Sequence, residues 1–147
     1  MIPWKLNGYV LSMMLASLLA VTACMNRNNM EKNFIPPSFS DDIIEVYFFH
    51  FSRKCANCEA IKSETASILK ENYPDEWSEG KIVFRMVNTE TKQGLQIAED
   101  LDIVGQQVLI FMGEKWSEVT QPAFLFAHED PNRYARILVE EINRLNK

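Results

Sequence analysis

Ile43-Ile44-Glu45-Val46-Tyr47-Phe48-Phe49-His50-Phe51, then Ser52-Arg53-Lys54, then Cys55-Ala56-Asn57-Cys58: the reading of this stretch decides the fold. The first run is short, β-branched and aromatic, with little alternation, which suits a strand buried on both faces. Ser52-Arg53-Lys54 breaks it. From Cys55 the period becomes helical, because Ile61, Thr65, Ile68 and Leu69 share one face and Glu59, Lys62, Glu64 and Lys70 surround it. Tyr73-Pro74-Asp75 ends that helix, since the residue before a proline is pushed out of the helical region.

Working toward the C-terminus, Lys81 to Val87 alternates around Ile82, Phe84 and Met86 and predicts a second strand. A strand–helix–strand unit with so short a connection implies a parallel pair with a right-handed crossover. Lys92 to Leu101 predicts a short helix with Leu95, Ala98 and Leu101 inward. Val108 to Met112 predicts a strand that turns at Gly113-Glu114 and returns antiparallel over Lys115 to Val119. Gln121 to Ala127 reads as a helical turn. Asp130-Pro131 reads as an N-cap followed by proline at the first helical position. Tyr134, Ile137, Leu138, Ile142 and Leu145 form the apolar stripe of a last helix.

Toward the N-terminus, Lys5 precedes an almost wholly apolar run from Tyr9 to Val21. That run is shorter than the roughly 20 apolar residues a bilayer crossing wants, and it matches the core of a secretory signal. It ends in Val21-Thr22-Ala23-Cys24, which resembles the lipobox of bacterial lipoproteins. That resemblance implies cleavage before Cys24 and lipid on it. An uncut short anchor or an ordinary cleaved signal would use the same run. Residues 25–40 are rich in Asn, Pro and Ser and read as a tether. The predicted organisation is therefore a signal segment 1–23, a lipidated cysteine and tether 24–41, and a folded domain 42–147. Met25 is not aspartate, and by resemblance to lipoprotein sorting patterns this points to the cell envelope, at the periplasmic face of the outer membrane.

The whole chain has 147 residues, 47% hydrophobic and 24% charged, with a formal net charge of -5. It is long enough for one packed domain, and its charge is opposite to the clustered basic surface a nucleic-acid binder needs. If Cys24 is acylated, Cys55 and Cys58 are the remaining thiols. Export places them where disulfides persist. A bridge across two intervening residues closes too small a loop to stabilise a fold by entropy, so its purpose is redox or metal chemistry.

Cysteines three apart on a helix lie on one face, so their sulfurs can meet at the first turn. There the free backbone N–H groups and the macrodipole favour an anion, and thiolate is the reactive form of cysteine. This makes Cys55 the exposed nucleophile and Cys58 the shielded resolving thiol. Arg53 and Lys54 add positive charge beside Cys55, whereas Glu59 opposes it. His50 stands close enough in sequence to tune Cys55 or to join the two thiols at a zinc or copper(I) site. No second CxxC or His-x-His supports a metal, so none is assigned, and no cofactor is called for. His128 reads as a surface loop residue, and Trp77 and Trp116 as packing.

The order of elements, with Cys55-Ala56-Asn57-Cys58 opening the first helix, resembles thioredoxin over about residues 42–146. The resemblance implies an α/β fold with a central mixed sheet flanked by helices. It also implies that Cys55 and Cys58 form a redox-active disulfide exchanged with the thiols of partner proteins, including an electron-relaying membrane protein. Three positions depart from the family: Lys54-Cys55-Ala56-Asn57-Cys58 replaces Trp-Cys-Gly-Pro-Cys, Phe49 replaces a buried aspartate, and Gln107 takes the place of a cis-proline in the loop that docks substrate, beside Gln106. A cis bond before a residue other than proline is costly, so a trans bond or a reshaped loop follows. The rival reading is a thioredoxin-fold binding module without turnover, and a third is a metal-handling protein.

Overall fold

The computed structural model describes residues 40–53 and 55–147. The signal segment, Cys24, the tether to residue 39 and Lys54 lie outside the described residues. Four strands form one sheet in the order β2-β1-β3-β4: β1 (Ile44–His50), β2 (Ile82–Asn88), β3 (Gln107–Met112) and β4 (Lys115–Glu118). The helices are α1 (Ala56–Asn72), α2 (Pro74–Ser78), α3 (Lys92–Asp100), α4 (Thr120–Phe126) and α5 (Pro131–Leu145). The protein is thus α/β, with a mixed sheet flanked by helices, compatible with the thioredoxin-like arrangement expected from the sequence.

β1 sits inside the sheet because every residue from Ile44 to Phe49 is buried. It pairs in parallel with β2, from Ile44 opposite Ile82 to His50 opposite Asn88, and antiparallel with β3, from Ile44 opposite Met112 to Phe49 opposite Gln107. β4 returns along β3 as the expected hairpin. Strand alternation divides β1 into two faces. Val46 and Phe48 join Val108, Ile110, Ile61, Leu69, Leu138 and Ile142 in the core under α1 and α5. Tyr47 and Phe49 stack on the opposite face, 5.9 Å between ring centres, and Phe111 meets Tyr47 edge-on. Each such fully buried aliphatic or aromatic side chain stabilises the fold by about 1.5–3 kcal/mol. Glu45 is only 2% exposed, and its carboxylate lies 3.4 Å from the Arg85 guanidinium on β2.

α1 buries Cys58, Ile61, Thr65, Ile68 and Leu69, the predicted stripe with one cysteine added. Its Thr65 hydroxyl hydrogen-bonds the Tyr134 hydroxyl of α5 at 2.8 Å, the polar link between the two helices inside the core. At the start of α5, Asp130 accepts from the Arg133 amide at 3.0 Å and Pro131 follows it, as the sequence predicts.

Four details differ from the sequence reading, the first being that Trp116, read as packing, is 60% exposed on β4. Pro74 stops α1 but opens the one-turn helix α2, since proline is well suited to a first helical position. Met86 lies on the helix side of the sheet, as its alternation requires, yet is 43% exposed. β2 is an edge strand, and near Met86 the helix side opens into a cleft. Leu95 faces outward, 50% exposed, whereas α3 buries Ala98, as expected, together with Gly94 and Ile97. The inward stripe runs through a glycine. A side chain at position 94 would collide with the Asn88 carbonyl, so the helix makes its closest approach where no side chain exists.

Replacing Thr65 with valine keeps the shape and leaves the Tyr134 hydroxyl buried without its partner. Urea unfolding should show a loss of about 1–3 kcal/mol. Burial pushes the Tyr73 and Tyr134 hydroxyls up to about 12 from an ordinary 10.0. Folded protein therefore holds protons that unfolded chain releases. Its stability should be full below pH 10 and should fall as pH rises toward 12, tracked by tyrosinate absorbance and circular dichroism together.

Candidate functional site

Cys55 is the N-cap of α1, with extended backbone, and its side chain takes the role usually given to serine or aspartate. Its Sγ accepts the Cys58 backbone N–H at 3.1 Å. The Cys55 carbonyl accepts from Glu59 N at 3.0 Å and so begins the helical ladder. Cys55 and Cys58 are joined as a disulfide, with Cα atoms 5.2 Å apart. Cys55 is half-buried against the core, while Cys58 is 8% exposed and part of it. Cys55 is thus the less buried residue of the pair and Cys58 the more buried.

The Gln106 side-chain amide lies 3.6 Å from Cys58 Sγ and donates to it. Gly105 precedes it with φ of +81°, a conformation glycine adopts freely. The neighbouring Gln107 does something else: it opens β3 opposite Phe49, and its side-chain amide donates to the Val104 carbonyl at 3.3 Å. Of the two glutamines assigned to the substrate loop, Gln106 reaches Cys58 and Gln107 bonds within its own loop. No cis peptide bond occurs among the described residues. Each sulfur of the pair thus has one N–H donor, the Cys58 backbone for Cys55 and the Gln106 amide for Cys58. Hydrogen bonds of this kind favour sulfur in its anionic form, which is what opening the disulfide produces.

A second set of contacts holds the loop between β1 and α1. Glu90 Oε2 accepts the Ser52 backbone N–H at 2.6 Å. The Asn88 side-chain amide donates to Ser52 Oγ at 2.9 Å, and Asn88 Oδ1 accepts from Glu90 N at 3.0 Å. Thr89 N donates to the His50 carbonyl at 2.9 Å. The loop that leads into Cys55 is therefore fastened to the end of β2. The sequence reading missed Ser52, Asn88, Glu90 and Gly94 together. The available signal was Asn88-Thr89-Glu90-Thr91, a cluster of turn-forming polar residues just after a strand.

Beside Cys58 lies a cleft of about 210 Å³. Phe48, Phe51 and Met86 supply apolar walls, and His50, Arg53 and Lys62 bring cationic or titratable groups to it, with Glu59 opposing them. His50 packs on Phe48, 5.4 Å between ring centres, and its Nδ1 lies 2.8 Å from the Phe51 carbonyl oxygen. Lys54 lies outside the described residues, so of the two predicted cations Arg53 alone is placed. His128 is exposed, 3.9 Å from Glu129, away from this cluster. Among the described residues, no group of three or more His, Cys, Asp or Glu side chains is placed to hold a metal ion. No helix of the described residues is long and apolar enough to cross a membrane.

The chain matches no protein-family model and no curated protein at a significant level. Among solved structures, one described as the structure of a malarial protein is similar at 11% identity and a TM-score of 0.46, over 68% of this chain and 98% of its own. A likeness at that level says nothing about function.

The Ser52 hydroxyl and amide, with a smaller contribution from nearby His50, hold the Glu90 carboxyl below its ordinary value of 4.5. Its contribution to fastening the loop is therefore present above that value and is lost as pH falls through the lowered one. A carbon-detected NMR titration of Glu90 should give a midpoint below 4.5. Ser52→Ala should move that midpoint part of the way back, since the backbone N–H remains.

Proposed function

We infer that residues 42–147 form a thioredoxin-like domain that works as a membrane-tethered thiol–disulfide oxidoreductase, exchanging the Cys55–Cys58 disulfide with the thiols of partner proteins. One observation carries this reading: the disulfide opens α1 with Cys55 accessible and Cys58 shielded, and each sulfur has an N–H donor.

The exchange balances in both directions. In the oxidised form, a partner thiolate attacks Cys55 Sγ, the Cys55–Cys58 bond breaks, and Cys58 leaves as thiolate. A second partner thiol then attacks the mixed disulfide, expelling Cys55 as thiolate and leaving the partner oxidised by two electrons. In the reduced form, the Cys55 thiolate attacks a partner disulfide and displaces one partner sulfur. Cys58 then attacks Cys55 Sγ and releases the second. The Gln106 amide lowers the cost of placing negative charge on Cys58 in either direction. Electrons enter or leave through a membrane protein that relays them.

Phe49 and Gln107, where thioredoxins carry aspartate and cis-proline, narrow the partner range in this reading. Lipid on Cys24 holds the domain at the periplasmic face of the outer membrane, and a single acyl chain would not suffice for stable attachment. Phe49 and Gln107 are also what favours the rival, a binding module without turnover.

The experiment titrates the Cys55–Cys58 couple of the full chain against glutathione and follows turnover on protein disulfides. Cys55→Ser should abolish turnover. Cys58→Ser should leave Cys55 able to attack and should accumulate mixed disulfides. A potential far below that of the compartment, with no turnover on any disulfide, sinks the catalytic reading in favour of the binding module. Tight stoichiometric metal lost in Cys55→Ser supports the metal-handling reading. Intact mass after membrane extraction tests acylation at Cys24.

A further inference from the structure

The exchange leaves one proton without a stated destination. Cys58 must lose its proton before it can attack Cys55 Sγ, because thiolate is the nucleophile. Cys58 is 8% exposed, so its proton has little direct access to bulk water. The acceptor must be a group within reach of Cys58, directly or through one water.

Among the described residues, four side chains that carry charge or titrate share the cleft with Cys58: His50, Arg53, Glu59 and Lys62. Arginine and lysine side chains are already protonated near neutral pH, and an exposed carboxylate is a weak base there. Imidazole is the side chain that both accepts and returns protons between pH 5 and 8. Strand alternation puts His50 on the same side of β1 as Phe48, which lines the cleft with Cys58, whereas Phe49 faces the other way and stacks on Tyr47. Its tautomer is settled as well. The Phe51 carbonyl can only accept, so Nδ1 must carry the hydrogen of that 2.8 Å bond. In the neutral ring this leaves Nε2 as the basic atom. The Thr89 amide and hydroxyl bond the His50 carbonyl at 2.9 and 3.3 Å, so the residue is pinned at its backbone as well as at its ring. The cleft, at about 210 Å³, has room for a bridging water, whose share of liquid volume is about 30 Å³.

We propose that His50 is the proton acceptor for Cys58 in the resolving step, a role that rests on the oxidoreductase reading. The Cys58 proton passes to His50 Nε2, directly or through one water. The sulfur's electron pair forms the bond to Cys55 Sγ, and the bond from Cys55 to the partner sulfur breaks. The partner departs as thiolate, and His50 returns its proton to solvent. In the reverse direction, protonated His50 supplies the proton to Cys58 as the disulfide opens. Among the described residues, the charged groups around His50 are Arg53 from the following loop, Glu59 and Lys62 from α1, and Glu90 from the β2–α3 loop.

The test uses the reduced full chain, carrying Cys24→Ser to remove the third thiol, and dithiobis(nitrobenzoate), a disulfide whose released thiolate is coloured. Attack by Cys55 releases a first equivalent, and attack by Cys58 on Cys55 Sγ releases a second. In stopped flow at pH 7, the ratio of second to first rate should fall at least about tenfold in His50→Gln, a loss within the usual range for general base catalysis. In His50→Ala, added imidazole should restore the second rate in proportion to its concentration. The Cys24→Ser chain with His50 unaltered gives an independent measure that needs no further variant to fold: the second rate should rise with pH below the ordinary thiol range. An unchanged ratio in both variants overturns the proposal. So does a second rate in the unaltered chain that rises only in the ordinary thiol range near pH 8.5. A first release with no second in the unaltered chain overturns the oxidoreductase reading itself, and this proposal with it.

Discussion

Burial of β1 on both faces is the constraint from which the rest of the structure follows. A strand with six consecutive buried residues can satisfy its backbone only with a neighbour on each edge. β2 supplies one, in parallel, and β3 the other, antiparallel. The parallel pairing requires the chain to cross over one face between β1 and β2, and α1 makes that crossing. The crossing must begin where β1 ends. For that reason Cys55 stands at a helix start immediately beside the end of a central strand, where its sulfur caps the helix and its partner Cys58 enters the core.

The same constraint explains how the site is held. The backbone between His50 and Cys55 leaves a rigid strand and enters a rigid helix, so a short loop carries the whole change of direction. Ser52, Asn88 and Glu90 fasten it to the end of the neighbouring strand, and Gly94 lets α3 come close enough to brace Asn88. On the other side, Gly105 turns the chain so that Gln106 reaches Cys58 before β3 begins at Gln107. The sulfur pair is thus bounded by the ends of β1, β2 and β3, three segments distant in sequence that the sheet places side by side.

Much of the fold was legible in the sequence because its signals are local. The aromatic and β-branched run at Ile43–Phe51, the helical stripe of Ile61, Thr65, Ile68 and Leu69, and the Asp130-Pro131 cap each reflect the physics of a few neighbouring residues. The misread elements failed where a local pattern meets a tertiary neighbour. The stripe of α3 passes through Gly94, which a search for apolar residues cannot count. Met86 obeys the alternation of its strand, but on an edge strand beside an open cleft it stays exposed.

By itself, the sequence determined the order and type of the elements, the one-turn α2 excepted, and the placing of Cys55 and Cys58 at the start of a helix. Periodicity and the geometry of a three-residue step suffice for both. The tertiary structure decided what lies beside Cys58, Gln106 rather than Gln107 and a cleft shared with His50, and it brought Glu90 to Ser52 from nearly 40 positions away. A side chain one residue along a strand points to the opposite face. Only the register of the sheet and the packing of α1 upon it settle which face carries the chemistry.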